Sequence, residues 1–160
     1  MPLEQGGRAD KAGNKYEINW CIYQLLNVID EKIYSVTLEV LGEDEKATDL
    51  LIVDNDGAKE HQQCKARNGS KDIWEFSSLK SKKLFESWKI HLDREPTRKV
   101  SLVSPISYQF LVDLNDRANN TSGIPEEFYN YQIEKSGKDF IKFYNNYCKE
   151  MGLDKTDNND

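Results

Sequence analysis

Gln63-Cys64-Lys65 sets an amide oxygen and an ammonium two residues apart, and Asp49 stands upstream of them at the head of an apolar run. On an extended segment alternate residues share a face, so His61, Gln63 and Lys65 project together while Gln62 and Cys64 project the other way. If Asp49 lies on a neighbouring antiparallel strand, its carboxylate arrives at the same end as Gln63 and Lys65, and the three groups converge. That trio suits hydrolysis of a phosphodiester. Mg2+, with Mn2+ as a substitute, takes oxygen ligands, commonly one or two carboxylates beside water and substrate phosphate. Asp49 offers a carboxylate, Gln63 a neutral oxygen, and the Cys64 backbone carbonyl a third ligand. Such a cation lowers the pKa of a bound water and neutralises charge growing on the phosphate. Lys65 then positions the water, or acts as base if its own pKa is depressed. Glu39 and Glu17 supply further carboxylates.

Bringing these groups together requires a hairpin, and the sequence supplies its parts. DLLIVD at 49–54 is the pattern of a short strand buried on both faces. Asn55-Asp56-Gly57 is a strong hairpin signal, and residues 59–66 return as the partner strand. A buried strand carrying Gln62, Gln63 and Lys65 is expensive unless each polar group finds a partner, so this run predicts either an edge strand or a site. Upstream, Gly13 or Asn14 opens a helix to about residue 30, with Tyr16, Trp20, Tyr23 and Leu26 at helical spacing. Residues 1–13 read as a flexible arm, and 33–41 as a strand rich in β-branched and aromatic residues.

Downstream, the pattern predicts one helix over 76–92 with Leu79, Leu84, Trp88 and Leu92 inward, a break at Pro96, and a strand over 99–104. Helices in pieces follow Pro105, ending in a helix over 137–151. Residues 154–160 read as a disordered tail or the start of a linker to a further domain. Trp20, Trp74 and Trp88 are expected as core anchors. The order of elements predicts an α/β fold over residues 14–153, with a mixed sheet of about four strands flanked by helices.

The series of a helix glutamate, a strand aspartate and a (D/E/Q)xK hairpin resembles the PD-(D/E)xK nucleases, and with them a restriction-endonuclease-like core. GGRADKAGNKYE at 6–17, TLEVLGEDEKATDLL at 37–51 and Gln63-Cys64-Lys65 are similar to one branch more narrowly. That branch holds the effector nucleases of bacterial cyclic-oligonucleotide (CBASS) anti-phage systems and the N-terminal nuclease domains of anti-phage STAND ATPases. Trp74 and the helix after it fit the same layout, and the resemblance covers about residues 6–105. A QxK form is common there. The resemblance implies that Asp49 and Gln63, with the Cys64 carbonyl, hold the metal and that Lys65 is the catalytic lysine. Glu17 matches the helix glutamate of the wider class and Glu39 a strand glutamate of the branch, with Glu39 placed ahead of Glu17. It further implies cutting of double-stranded DNA with little sequence preference, a sensor or ATPase domain as partner, and homo-oligomer formation on activation.

Charge distribution is compatible with that partner although the chain as a whole carries −6. Residues 59–99 hold 11 basic groups against 6 acidic ones, whereas residues 1–58 hold 5 against 12. Arg67, Lys71, Lys80, Lys82 and Lys83, with Lys89, read either as a track of phosphate contacts or as a solvated helix face. Other residue types narrow the field. Cys21, Cys64 and Cys148 are odd in number and form no CxxC pair, so they read as buried thiols and not as a disulfide or zinc framework. His61 and His91 have no third ligand at metal spacing, which argues against a zinc enzyme. Asp44 and Glu45 fall in a turn and read as solvated. A first-turn glutamate is favoured by the helix dipole whatever its function, and this competes with a site role for Glu17. No apolar run nears the roughly 20 residues of a membrane span, and no secretion signal opens the chain, so a cytoplasmic location is expected. Two competing readings remain: a catalytically inactive DNA-binding or oligomerisation module of the same fold, and a nuclease acting on RNA. The joint presence of Asp49 and Lys65 favours an active DNA endonuclease.

Overall fold

The computed structural model describes residues 4–45, 48–66, 72–95, 97–121 and 123–153, with the backbone alone at 4–12 and at Glu43. Helix α1 runs Glu4–Ile29, and β1 is Ser35–Leu38. A 3-10 turn at Gly42–Asp44 leads towards β2, Leu50–Val53, and β3, Lys59–Cys64. Helices α2, Phe76–Ser81, and α3, Leu84–Arg94, precede β4, Lys99–Val103. After β4 come α4, Gln109–Asn119, and α5, Pro125–Glu127, which runs into a π-helical stretch at Phe128–Ile133; α6 is Lys138–Met151.

The expected hairpin forms. β2 pairs antiparallel with β3, with Leu50 opposite Gln62 and Val53 opposite Lys59. Asp54 N–H donates to Ala58 O at 2.9 Å and Gly57 N–H to Asp54 O at 2.9 Å, closing a tight turn. Gly57 sits at φ +88°, a conformation that side chains with a Cβ adopt only with strain. β1 adds antiparallel to β2, and β4 adds parallel to β3, giving a four-stranded mixed sheet in the order β1-β2-β3-β4. Parallel addition of β4 needs a long crossover, and the α2–α3 segment supplies it.

Two compact units divide the chain: Met1–Ile73 with Ser87–Ile106, and Trp74–Glu86 with Ser107–Asp160. The first carries the sheet. Against it α1 packs Tyr16, Trp20 and Cys21 over Leu50, Cys64 and Val103. The second unit is helical, built around Ile133, Phe140 and Phe143 with a surrounding shell of aromatic rings. Trp74 and Trp88 are buried, as core anchors should be, and Trp20 is half-buried with its indole N–H donated to Gln62.

Several expectations are corrected. The helix expected from Gly13 or Asn14 begins at Glu4, so residues 4–13 are helical and not an arm; Gly6, Gly7 and Gly13 lower helix propensity but do not prevent it. β1 ends at Leu38, because Glu39 turns to φ +53° and leaves the strand. The single helix expected over 76–92 is two, broken at Lys82-Lys83, where Lys83 takes φ +57°. Residues 1–3 and 154–160 lie outside the described residues. No helix among the described residues is long and apolar enough to cross a membrane.

Candidate functional site

β3 is an interior strand, which removes the edge-strand explanation for its polar run and leaves the question of where each polar group is satisfied. Gln62 faces α1: its Oε1 accepts the Trp20 indole N–H at 2.7 Å, and its Nε2 donates to Glu60 at 3.1 Å. His61 faces α3 and is fully bonded within a network described below. Gln63 differs. Its Oε1 is buried and accepts no hydrogen bond.

Asp49 is laid directly over this segment. Its backbone N–H donates to Gln62 O at 3.0 Å, while its Oδ2 accepts the Cys64 N–H at 2.7 Å and the Lys65 ammonium at 3.1 Å. These bonds bracket Gln63 on both sides. Asp49 and Lys65 are both about one-quarter exposed, so their pair is only partly screened by water. The structure thus brings Asp49 onto the Cys64 backbone and the Lys65 ammonium, while the Gln63 side-chain oxygen contacts neither through a hydrogen bond.

Glu17 joins them from α1. Burial, then the charge of Asp49, then that of Glu39, raise the Glu17 carboxyl above its ordinary value, with Lys65 acting in the opposite direction. The dipole explanation for Glu17 fails, because it stands more than three turns inside α1 and not in its first turn. Glu39 is exposed just beyond β1, with its backbone N–H donated to Asp49 O at 3.2 Å. Cys64 stays a neutral thiol: burial, then Asp49 and Glu17, push it up to about 12.

The second polar cluster was not legible in the sequence. His61 and His91 stack with ring centroids 3.8 Å apart. Arg98 Nη1 lies 3.1 Å from His61 Nε2 and 2.6 Å from Asp44 Oδ1, and Lys59 donates to Asp44 Oδ2 at 2.9 Å. Arginine only donates, so His61 Nε2 must accept and the ring must be neutral with its proton on Nδ1. Nδ1–H then donates to Thr48 Oγ1 at 3.1 Å, and the Thr48 hydroxyl donates onward to His91 Nε2 at 3.3 Å. Asp44, expected as a solvated turn residue, is instead a half-buried ion-pair hub. Burial works to raise its carboxyl, but the bonds from Lys59 and Arg98 outweigh this and hold it well below the usual carboxylate range.

Asp44, His61 and His91 each offer a ligand atom within 4.8 Å of the others, close enough for a metal to be considered, so the third ligand that sequence spacing lacked does exist. The Arg98 guanidinium already supplies the positive charge there, however, bonded to two of the three groups. The cluster is better matched to its own cations than to an added one. Its evident effect is on Thr48, the residue before Asp49, which it anchors to β3 through His61 and to α3 through His91. The signal that would have found it is a polar residue on the inward face of each flanking element, a pattern visible only once the register is known.

The basic residues fall in several settings. Lys80 pairs with Glu150 at 2.5 Å, Lys82 lies over the Trp74 ring at 5.9 Å, and Lys89 pairs with Asp93 at 2.9 Å. Lys83 occupies the break between α2 and α3. Arg67 and Lys71 lie outside the described residues.

No family model, curated protein or solved structure matches this chain.

Proposed function

We propose that this chain is a metal-dependent endonuclease of the PD-(D/E)xK type, hydrolysing phosphodiester bonds of double-stranded DNA with low sequence specificity. The observation that carries the reading is the hold of Asp49 on β3 and Lys65, its Oδ2 accepting the Cys64 N–H and the Lys65 ammonium, on the same strand whose Gln63 Oε1 is buried without a hydrogen-bond partner. Buried polar atoms are almost always satisfied, and an unsatisfied one calls for an ion, a water or a functional role. A buried acceptor oxygen on the strand that Asp49 holds fits a hard cation such as Mg2+ or Mn2+. The upward shift of Glu17 is compatible with this: burial is its first cause, and the charges of Asp49 and Glu39 add to it against Lys65.

In this reading Asp49, Gln63 and the Cys64 carbonyl hold the cation, with Glu17 and Glu39 completing its surroundings. When bound, the cation acidifies water and offsets the charge developing on the phosphate. Lys65 holds Asp49 by its ammonium and presents that same charge to the scissile phosphate, so one side chain orients a ligand and binds the substrate. Glu17, within the field of both Asp49 and Lys65, is placed to hold or pass a proton at its carboxyl oxygens. Trp20 and Gln62 fix the α1 side of β3, which keeps Glu17 and Asp49 in register with Lys65. Role as the effector module of an anti-phage protein, with a sensor or ATPase domain as partner, rests on the sequence resemblance alone.

The test is conversion of supercoiled plasmid to nicked and linear forms in Mg2+, in Mn2+ and in EDTA, with an RNA duplex in parallel. Cutting of DNA that EDTA abolishes supports the reading. Binding of DNA without cutting in either metal points instead to an inactive module of the same fold, and preferential cutting of RNA corrects the substrate.

A further inference from the structure

Helix α1 buries one side against the sheet and leaves the opposite side apolar. Ile18, Ile22, Leu25 and Ile29 are 51, 51, 46 and 75% exposed. Their spacing of four, three and four residues is that of alternating d and a positions in a heptad, the seam by which one helix packs against another. Leu26, also about half exposed, flanks the seam, whereas Tyr23 stacks on Trp20 with ring centroids 5.2 Å apart. Together the seam and Leu26 leave on the order of 500 Å² of apolar surface in water, towards the upper end of the ~300–600 Å² of the largest patches on monomeric proteins. That area is over half of the ~800 Å² that each partner contributes to an interface of standard size.

We infer that this seam is the contact between two copies of the chain, packed α1 against α1 in antiparallel orientation about a twofold axis. A twofold axis makes the patch its own partner, so one stripe serves both sides. Charge selects the direction. Lys15 stands one turn before Ile18, and Asp30 and Glu31 follow Ile29 at the other end, where Asp30 already pairs with Lys32 at 3.0 Å; Lys15, Asp30 and Glu31 are exposed. Parallel packing sets Lys15 against Lys15 and Glu31 against its copy. Antiparallel packing sets Ile18 against Ile29 and carries Lys15 to the Asp30–Glu31 end of the other copy. It also opposes the two helix dipoles favourably. The stripe itself holds no charged residue, so nothing in the seam resists burial. Glu17 lies on the sheet side of α1, away from this face, and the dimer stands whether or not the Asp49 site cuts DNA.

Sedimentation equilibrium on the whole chain tests this. Wild type is expected to move from the 18.6 kDa monomer to twice that mass as concentration rises to about 50 µM. Ile22→Glu/Leu25→Glu should remain monomeric at the same concentration with an unchanged circular dichroism spectrum, because both positions are solvent-facing in the single copy. Lys15→Glu should weaken the dimer about tenfold, and adding Glu31→Lys should restore it. Wild type that stays monomeric overturns the inference, as does a dimer untouched by the Ile22/Leu25 pair of substitutions. A dimer lost in Lys15→Glu and not restored by Glu31→Lys overturns the antiparallel arrangement.

Discussion

Asp49 Oδ2 accepts both the Cys64 N–H, at 2.7 Å, and the Lys65 ammonium, at 3.1 Å, so a single oxygen fastens the carboxylate to β3 and neither bond involves Oδ1. The carboxylate is oriented by one oxygen while the other remains available to a ligand. That division is what a metal-holding aspartate requires, because a ligand held by its own network needs little reorganisation on binding.

Replacing either partner should separate activity from stability. Lys65→Ala should reduce cutting by about 10²–10⁴-fold, while its partly exposed ion pair contributes under about 1 kcal/mol to folding. Asp49→Asn keeps an oxygen for the Cys64 N–H but removes the charge. It should therefore fold normally and lose Mn2+ binding, read by calorimetric titration. A variant that binds Mn2+ as tightly as wild type would remove Asp49 from the metal site.

Gln63 gives a sharper contrast. Because its Oε1 is buried without a partner, Gln63→Leu exchanges an unsatisfied polar atom for an apolar group of similar size, a change that is near neutral or stabilising. Melting temperature should hold or rise while cutting and Mn2+ affinity fall. Loss of stability with retained cutting would identify Gln63 as a structural residue.

The histidine network predicts a pH dependence. Burial, then His91, Arg98 and Lys59, hold His61 down from its ordinary 6.5 to about 4, with Asp44 opposing. The folded state therefore binds this proton less readily than the unfolded chain. The stability of neutral His61 is fully present above about pH 6.5 and is lost progressively as pH falls towards 4. Thermal melts between pH 7 and 4 should show this loss, and His61→Gln should flatten the slope. An equal slope in that variant would place the titration elsewhere.

Asp44 and Arg98 are 16 and 11% exposed at their side chains, so this is a pair whose breakage matters. Arg98→Met should destabilise the fold by about 3 kcal/mol, since Asp44 then keeps Lys59 and the more distant Arg94 at 3.6 Å but loses its closest cation. Asp44→Asn/Arg98→Met should recover part of that loss. Chemical denaturation of the single and double variants gives the coupling, and strictly additive losses would mean the two residues do not act together.

The hairpin was legible because Asn55-Asp56-Gly57 and the apolar run before it leave few alternatives, and the hairpin alone brings Asp49 to Lys65. The orphan state of Gln63 was not legible, since it depends on β3 being interior, and β4 is brought alongside only by the distant α2–α3 crossover. Asp44, Thr48, His61, His91 and Arg98 illustrate the same limit: five residues on four separate segments meet through tertiary packing that no local spacing records. Glycines at 6, 7 and 13 misplaced the start of α1, and with it the reason for Glu17, because propensity is a weak local preference and a helix once nucleated extends at small cost per residue.

Plasmid cleavage by wild type and Lys65→Ala side by side, in Mg2+ and in EDTA, tests the central claim most directly. Metal-dependent cutting by wild type that disappears in the variant is the expected result. Cutting that survives Lys65→Ala would contradict the assignment of the site.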